Sequence, residues 1–367
     1  MLNARKRIKI RNSKFILGDC LNELKRLETE SVDMIFCDPP YFLQLTKELH
    51  RPDMSIVKGV KENWDKFSSY SEYDKFSKTW LKECKRILKQ DGTIWIIGTY
   101  HNIYRLGFHI QNFKFWILND IIWNKVNPLP NFKGTRFTNA HEVIIWATKS
   151  RKSKYTFNYQ TMKKMNNNKQ MRSDWSLKVC QRKERLKNKL NKTLHSTQKP
   201  EELLERIVLA STKPGDFVLD PFFGTGTSGA ICKKLGRKFI GIENNPTYMK
   251  AAKERIINIR PIEISKIQEQ NDFNSSHKIP FSDLIKKGLI KPGDRIFNIK
   301  DNIRAVILPN GNLKFKKKEG SIHKIGAYAQ NKAACNGWTY WFVKQRNKVI
   351  SINDHRNLLR EESSSKQ

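Results

Sequence analysis

The sequence predicts an α/β fold, a mainly parallel sheet with helices on both faces, followed by a smaller second unit. Short apolar strands alternate with helix-patterned segments through the first two thirds of the chain. Two of these strands end in aspartate and run straight into a Pro- or Gly-rich loop, as ligand loops do at the carboxyl ends of parallel strands. A polar stretch, Ile264–Lys278, then separates this region from a compact basic piece. The length, 367 residues, suits about two domains.

Lys14–Leu17 reads as the first strand, Cys20–Leu27 as a helix, and Val32–Cys37 as a buried strand that stops at Asp38. Tyr73–Leu88 carries Trp80, Leu81, Cys84 and Leu88 at helical spacing and closes at Asp91-Gly92. Thr93–Ile97, Asp120–Trp123 and His141–Ala147 follow as strands. The lysine-rich stretch from about Lys149 to Lys192 shows no core periodicity. Helix Pro200–Ser211, strand Phe217–Leu219, helix Thr227–Leu235 and strand Phe239–Glu243 restore the α/β pattern. The expected organisation is therefore a catalytic domain over 1–263, a linker over 264–278, a small domain over 279–345 and a tail over 346–367.

Seventy Lys and Arg against 35 Asp and Glu leave a formal net charge of +35. Lysine enrichment from genome base composition would explain Lys over Arg, but less readily the shortage of acids. A polyanion is the natural counterpart of such an excess. The six cysteines are scattered, without C-x-x-C pairs or zinc spacing, and read as reduced and structural, which suggests the cytoplasm and no metal. No apolar run reaches the roughly 18 residues that a membrane span needs.

Asp38-Pro39-Pro40-Tyr41 is the first loop with chemistry in it. Consecutive prolines remove two backbone donors, stiffen the chain and leave carbonyls to accept. An amine on an aromatic ring is a poor nucleophile because its lone pair is delocalised. Acceptors at the Asp38 carboxylate and the Pro39 carbonyl would bind its two N–H groups and favour a pyramidal nitrogen, while Tyr41 stacks on the ring. A plain strand-terminating turn is the alternative.

The second loop is Asp220-Pro-Phe-Phe-Gly224-Thr-Gly226-Thr-Ser-Gly229. Its glycines fit G-x-G-x-x-G, and Glu243 ends the next strand about twenty residues on, where a carboxylate meets ribose hydroxyls. Taken alone, this pattern suits a nicotinamide dehydrogenase equally well. The two loops on one sheet are far more specific than either.

Together they resemble the β-group of amino-methyltransferases, in which D-P-P-Y precedes F-x-G-x-G with a target-recognition stretch between them, here about 149–195. His195-Ser-Thr-Gln-Lys-Pro200 resembles the block that precedes the second motif, with Ser196 where Pro is commoner. The likeness is closest to the cell-cycle-regulated adenine methyltransferases of alphaproteobacteria (CcrM) and spans nearly the whole chain. It runs through Tyr73-Asp-Lys-Phe, Asn127–Phe137, Asn139-Ala-His-Glu, Gln170–Trp175, Gly320–Gly326 and Cys335–Trp341. The family usually has Asn where this chain has Phe42.

The resemblance implies a mixed seven-stranded sheet of the S-adenosylmethionine-dependent, Rossmann-like type, a small C-terminal DNA-binding domain, and N6 of adenine in GANTC as the target. Asp38, Pro39, Pro40 and Tyr41 would form the catalytic site. Asp19, Cys20, Asp38, Thr197, Lys199, Asp220, Phe222, Gly224, Gly226, Thr227 and Glu243 would hold the cofactor.

Double-stranded DNA is the expected partner, at the nucleoid, and a homodimer is left open. The target base must leave the helix to be reached. Lys133, Arg136, Arg172 and Trp175, in Gly/Pro-punctuated polar segments, are expected at the DNA. So are His323, Lys324 and Trp338, although tight spacing assigns at least two of Trp338, Tyr340 and Trp341 to packing. Leu45, Leu49 and Arg51 suit either a short core-facing turn or a loop that wedges between bases. His141, beside Glu142, reads as a satisfied histidine of a buried strand. The competing functions are cytosine-N4 transfer, against which Asp38 counts because those enzymes often carry Ser there, and a catalytically silent DNA-binding subunit.

Overall fold

The computed structural model describes residues 8, 11–43, 49–50, 56–57, 65–131, 134–181, 184–188, 191, 193–195, 197–262, 279–298, 301–345 and 348–364. The chain divides into two compact units, Met1–Asn274 and Ser275–Gln367.

In the first unit the elements are β1 (Lys14–Leu17), α1 (Cys20–Arg26), β2 (Val32–Cys37), β3 (Leu49–His50), β4 (Ile56–Val57), α2 (Tyr70–Ile87), β5 (Leu88–Gly98) and α3 (Ile103–Asn112). They continue with β6 (Trp116–Lys125), β7 (His141–Thr148), α4 (Tyr159–Met165), β8 (Asp174–Leu177), α5 (Glu201–Ser211), β9 (Phe217–Asp220), α6 (Thr227–Lys234), β10 (Lys238–Glu243) and α7 (Pro246–Ile257).

The sheet has eight strands in the order β1-β10-β9-β2-β5-β7-β6-β8, one more than expected. All neighbours are parallel except β7, which runs antiparallel to both β5 and β6. Side chains alternate across each strand. Met34 and Phe36 of β2 therefore join the layer under α5 and α6, with Trp95, Trp146, Ile207 and Ile231. Ile35 and Cys37 face the opposite layer, with Trp80, Leu81 and Cys84 of α2 and Leu106 of α3. Burial on both faces accounts for the nearly continuous apolar run of β2.

Local sequence fixes the elements that carry the site. In α2 the Ser69 hydroxyl accepts from the Glu72 amide, and Glu72 returns to accept from the Ser68 amide, a capping box shifted by one residue. Its buried residues Tyr73, Ser77, Trp80, Leu81, Cys84 and Ile87 form one helical stripe.

The stretch expected to lack core periodicity does contain structure. Helix α4 buries Met162, and β8 adds to the sheet edge beside β6, burying Trp175 and Leu177. Both are too short for a sequence period to show. Within 42–58, β3 and β4 pair as a small antiparallel hairpin.

The second unit contains α8 (Phe281–Lys286), β11 (Arg295–Asn298), β12 (Ile303–Ile307), β13 (Leu313–Phe315), β14 (Lys318–Gly320), α9 (Ile322–Ala329), α10 (Gly337–Tyr340), β15 (Phe342–Gln345), β16 (Lys348–Ser351) and α11 (Ile352–Ser364). Its six strands form an antiparallel sheet in the order β14-β13-β12-β11-β15-β16 around a core of Leu284, Ile296, Leu313, Ile325 and Trp341. The expected tail from residue 346 is wrong: β16 pairs with β15, and α11 buries Ile352 and Leu359 in this core. The expected linker 264–278 lies outside the described residues.

Candidate active site

Strand directions bring acids and bases to one end of the large sheet. Parallel strands β1, β10, β9 and β2 deliver Asp19, Glu243, Asp220 and Asp38 there. Because β7 is antiparallel, it begins where the others end and places Glu142 beside them, while β6 ends there with Lys125. A cavity of about 600 Å³ opens at this end, within the usual size of ligand pockets. It is lined by Asp19, Cys20, Asp38, Pro39, Pro40, Tyr41, Thr197, Lys199, Asp220, Phe222, Gly224, Thr227 and Glu243. Among the residues expected to hold the cofactor, Gly226 is absent from the lining. A Cβ there would stand 2.8 Å from the Cβ of Ala252, so its bare backbone serves the packing of α6 on α7.

The glycine loop is tied down from within. Glu243 accepts from the Gly224 amide and the Asn245 amide, both at 2.7 Å. Asp220 accepts from the Phe222 amide at 3.0 Å and from the Ser228 hydroxyl. Burial raises Asp220 to about 7, against those two hydrogen bonds. Burial likewise raises Glu243. Each carboxylate oxygen keeps a second lone pair for a ligand. His195 stands near the loop, with Nε2 3.4 Å from where a Gly224 Cβ would lie, and burial lowers it to about 4, so it is neutral.

At the D-P-P-Y loop, Tyr73 and Asn102 both donate to the Pro40 carbonyl, at 2.9 and 3.3 Å. Among the described residues no hydrogen bond ends on the Pro39 carbonyl, which leaves it available to an incoming donor. The Tyr41 hydroxyl reaches Asp38 Oδ1 and Glu142 Oε2, each at 3.0 Å. Lys199 Nζ lies 2.8 Å from Asp38 Oδ2, 3.8 Å from Glu142 Oε2 and 5.1 Å from the centre of the Tyr41 ring. Lys125 pairs with the other Glu142 oxygen at 2.8 Å.

Sequence reasoning missed Glu142 and Lys125 and placed Lys199 with the cofactor, whereas its ammonium lies against the Asp38 carboxylate. The His141-Glu142 pair drew attention for its histidine, yet His141 is exposed and Glu142 is buried. Strand alternation held the signal, since Glu142 shares a face with the core residues Ile144 and Trp146.

Other expected contacts fare unevenly. Trp175 is no surface residue: it packs into the sheet core near Trp95, and its indole donates to the Arg172 carbonyl at 2.8 Å. Trp338 is buried with Tyr340 and Trp341 in the second core, ruling out its ring as an open stacking platform. His323 and Lys324 are exposed, although His323 Nδ1 accepts from the Gly337 amide at 3.0 Å. Arg136 is exposed and donates to the Tyr100 hydroxyl, while exposed Arg172 forks onto Asp174. Leu45, Arg51 and Lys133 lie outside the described residues, as does the side chain of Leu49.

A family model described as DNA methylase matches residues 32–254, which hold both loops and the strands that carry them. The chain belongs to this DNA methylase family. A second model, described as Restriction Enzyme Adenine Methylase Associated, matches residues 263–365. The chain is 48% identical over 343 residues to the Type II methyltransferase M.HinfI of Haemophilus influenzae, covering 92% of this chain and 94% of that one. It is 44% identical over 246 residues to the Type II methyltransferase M2.LlaDCHI of Lactococcus lactis subsp. cremoris, covering 67% of this chain and 89% of that one. Among solved structures, the cytosine-N4-specific PvuII DNA methyltransferase aligns with a TM-score of 0.53 at 21% identity over 74% of this chain and 95% of that one, a likeness of fold.

As a member of this family the protein is an S-adenosylmethionine-dependent DNA methyltransferase. The donor, when bound, supplies an electrophilic methyl group on a sulfonium. The cavity fits such a ligand: glycine backbone at 224 allows close approach, and Asp19 and Glu243 lie at strand ends where hydroxyls and amines can be met. No helix among the described residues is long and apolar enough to cross a membrane.

Proposed function

We propose that the protein methylates N6 of adenine in GANTC within double-stranded DNA, as the cell-cycle-regulated enzymes it resembles do. The observation that carries this reading is the pairing of a half-buried carboxylate with an available carbonyl at one loop. Asp38 and the Pro39 carbonyl both accept, and an exocyclic amine brings two N–H groups to the same place. Tyr41 lies against the flipped base, and Phe222, Gly224 and Glu243 lie against the donor. Extrusion of the base costs about a few kcal/mol, which contacts to phosphate from a chain of net charge +35 offset.

The test is to treat plasmid DNA with protein and S-adenosylmethionine and then challenge it with nucleases that GANTC methylation blocks. Mass spectrometry of the digested nucleosides identifies the product. N6-methyladenine with protection at GANTC is the expected result. N4-methylcytosine would move the amine to the other base, and unmodified DNA would overturn the reading.

A further inference from the structure

Lys199 is a cation with a 7% exposed side chain, placed against the carboxylate that is to receive the target amine. Burying an ammonium costs several kcal/mol unless it is paired with good geometry. Here the pairing is built from four elements: Asp38 follows β2, Glu142 opens β7, Lys125 closes β6 and Lys199 precedes α5. Two lysines and two carboxylates thus balance, with the Tyr41 hydroxyl bridging the acids.

We propose that Lys199 is a positioning residue for methyl transfer, holding the Asp38 carboxylate ionised and oriented toward the amine, with Glu142 holding Lys199. This rests on the function proposed above and adds residues to it. An amine N–H needs an acceptor, and a protonated Asp38 would offer its own O–H in competition. Burial pushes Asp38 above its ordinary range, and Lys199 is the foremost group pulling it back. Glu142 pushes Asp38 up, while the Tyr41 hydroxyl helps to hold it down. Burial would likewise push Glu142 up, but Lys199 and Lys125 outweigh it and keep Glu142 below the usual range. Asp220 is the remaining acid that senses the charge of Asp38.

The geometry therefore gives the two partners opposite signs. Lys199→Met removes the counterion, so the acid limb of the single-turnover rate should move up by about 1–3 pH units, the range over which a close cation depresses a carboxylate. Activity lost at neutral pH should return as pH rises. Glu142→Gln removes a like charge, so the limb should move down. Lys199→Arg should restore most of the wild-type profile.

All profiles are measured with saturating S-adenosylmethionine and duplex DNA, alongside circular dichroism and cofactor titration. An unshifted limb in Lys199→Met, or shifts of the same sign in both variants, would overturn the proposal. Should Lys199→Met fail to fold, Glu142→Gln decides alone: a downward shift supports the proposal and any other result sinks it. Failure of wild-type protein to methylate DNA would instead sink the function reading.

Discussion

Asp65 is joined to Phe42 by a hydrogen bond of 2.7 Å from the Phe42 amide to its carboxylate, whose other oxygen accepts from Leu43 at 2.9 Å. The bond spans 23 residues and clamps the chain immediately beyond Tyr41. It also restrains an unusual conformation, since Phe42 has a φ of 55°. Bulky residues seldom adopt that region, whereas the Asn common at this place in the family tolerates it. Phe42 holds it with its ring packed on Phe67, Tyr70 and Tyr73. Asp65→Ala strands two amides and should destabilise the protein by about 1–3 kcal/mol. It should also slow methyl transfer several-fold, with cofactor affinity retained. Denaturant titration and single-turnover rates check this; unchanged rates would detach the clamp from catalysis.

The proposed function gives Tyr41 two separable duties, one for its ring and one for its hydroxyl. Tyr41→Phe keeps the ring and removes the link between Asp38 and Glu142, so it should lower the rate modestly. Tyr41→Ala should lose far more, because base stacking is worth roughly 1–3 kcal/mol. Asp38→Ala should abolish transfer while cofactor binding stays within several-fold. An Asp38→Ala protein that turns over DNA at the wild-type rate would refute the assignment of that carboxylate.

What the sequence disclosed was local. D-P-P-Y and the glycine loop are each contiguous, so their acceptors and bare backbone could be read directly, although the family resemblance was needed to choose methyl transfer over a plain turn or a nicotinamide site. Glu142, Lys125 and Lys199 come together only through the antiparallel insertion of β7, which no periodicity announces. Trp175 looked like a DNA contact because polar residues flank it, but a four-residue edge strand buries it. The last strand and helix of the second unit escaped for a similar reason: their apolar residues are few, and only pairing with β15 shows their place.

Two glycines of one loop should fail differently. Gly226 has a φ of 75° and no room for a Cβ, so Gly226→Ala should be strained and overpacked, costing about 1–3 kcal/mol of stability. Gly224, at a φ of 53°, faces the cavity and His195. Gly224→Ala shares the strain of a positive φ but meets no crowded neighbour, so it should cost less stability and chiefly weaken cofactor binding. Melting temperature and cofactor titration separate the two, and an exchange of these effects would contradict the packing described for Gly226.

Asp220 should leave a mark on stability against pH. Its carboxyl, raised by burial to about 7, holds its proton in the folded protein after the unfolded chain has lost it. Its contribution is therefore complete below the ordinary carboxylate range and is lost as pH rises toward 7. Asn can accept from Phe222 and donate to Ser228 without titrating. Asp220→Asn should gain stability relative to wild type steadily from about pH 4 to 7 and level off above. A constant difference across that window would show that Asp220 ionises normally.

The second unit offers its own basic surface. Lys316, Lys317 and Lys318 are exposed at the turn between β13 and β14, and Lys324 is exposed on α9. These side chains lie outside the core of the unit. If this surface meets DNA phosphate, each contact releases about 0.9 counterion, and removing three should flatten the salt dependence of binding by up to about 3 in log–log slope. Changing Lys316, Lys317 and Lys318 together to Gln should weaken duplex binding at low salt, much less at high salt, and leave cofactor binding and the melting temperature unchanged. Fluorescence anisotropy over a salt series reads both quantities at once. An unaltered slope would exclude this turn from the DNA interface and direct attention to Arg136 and Arg172, two exposed arginines of the first unit.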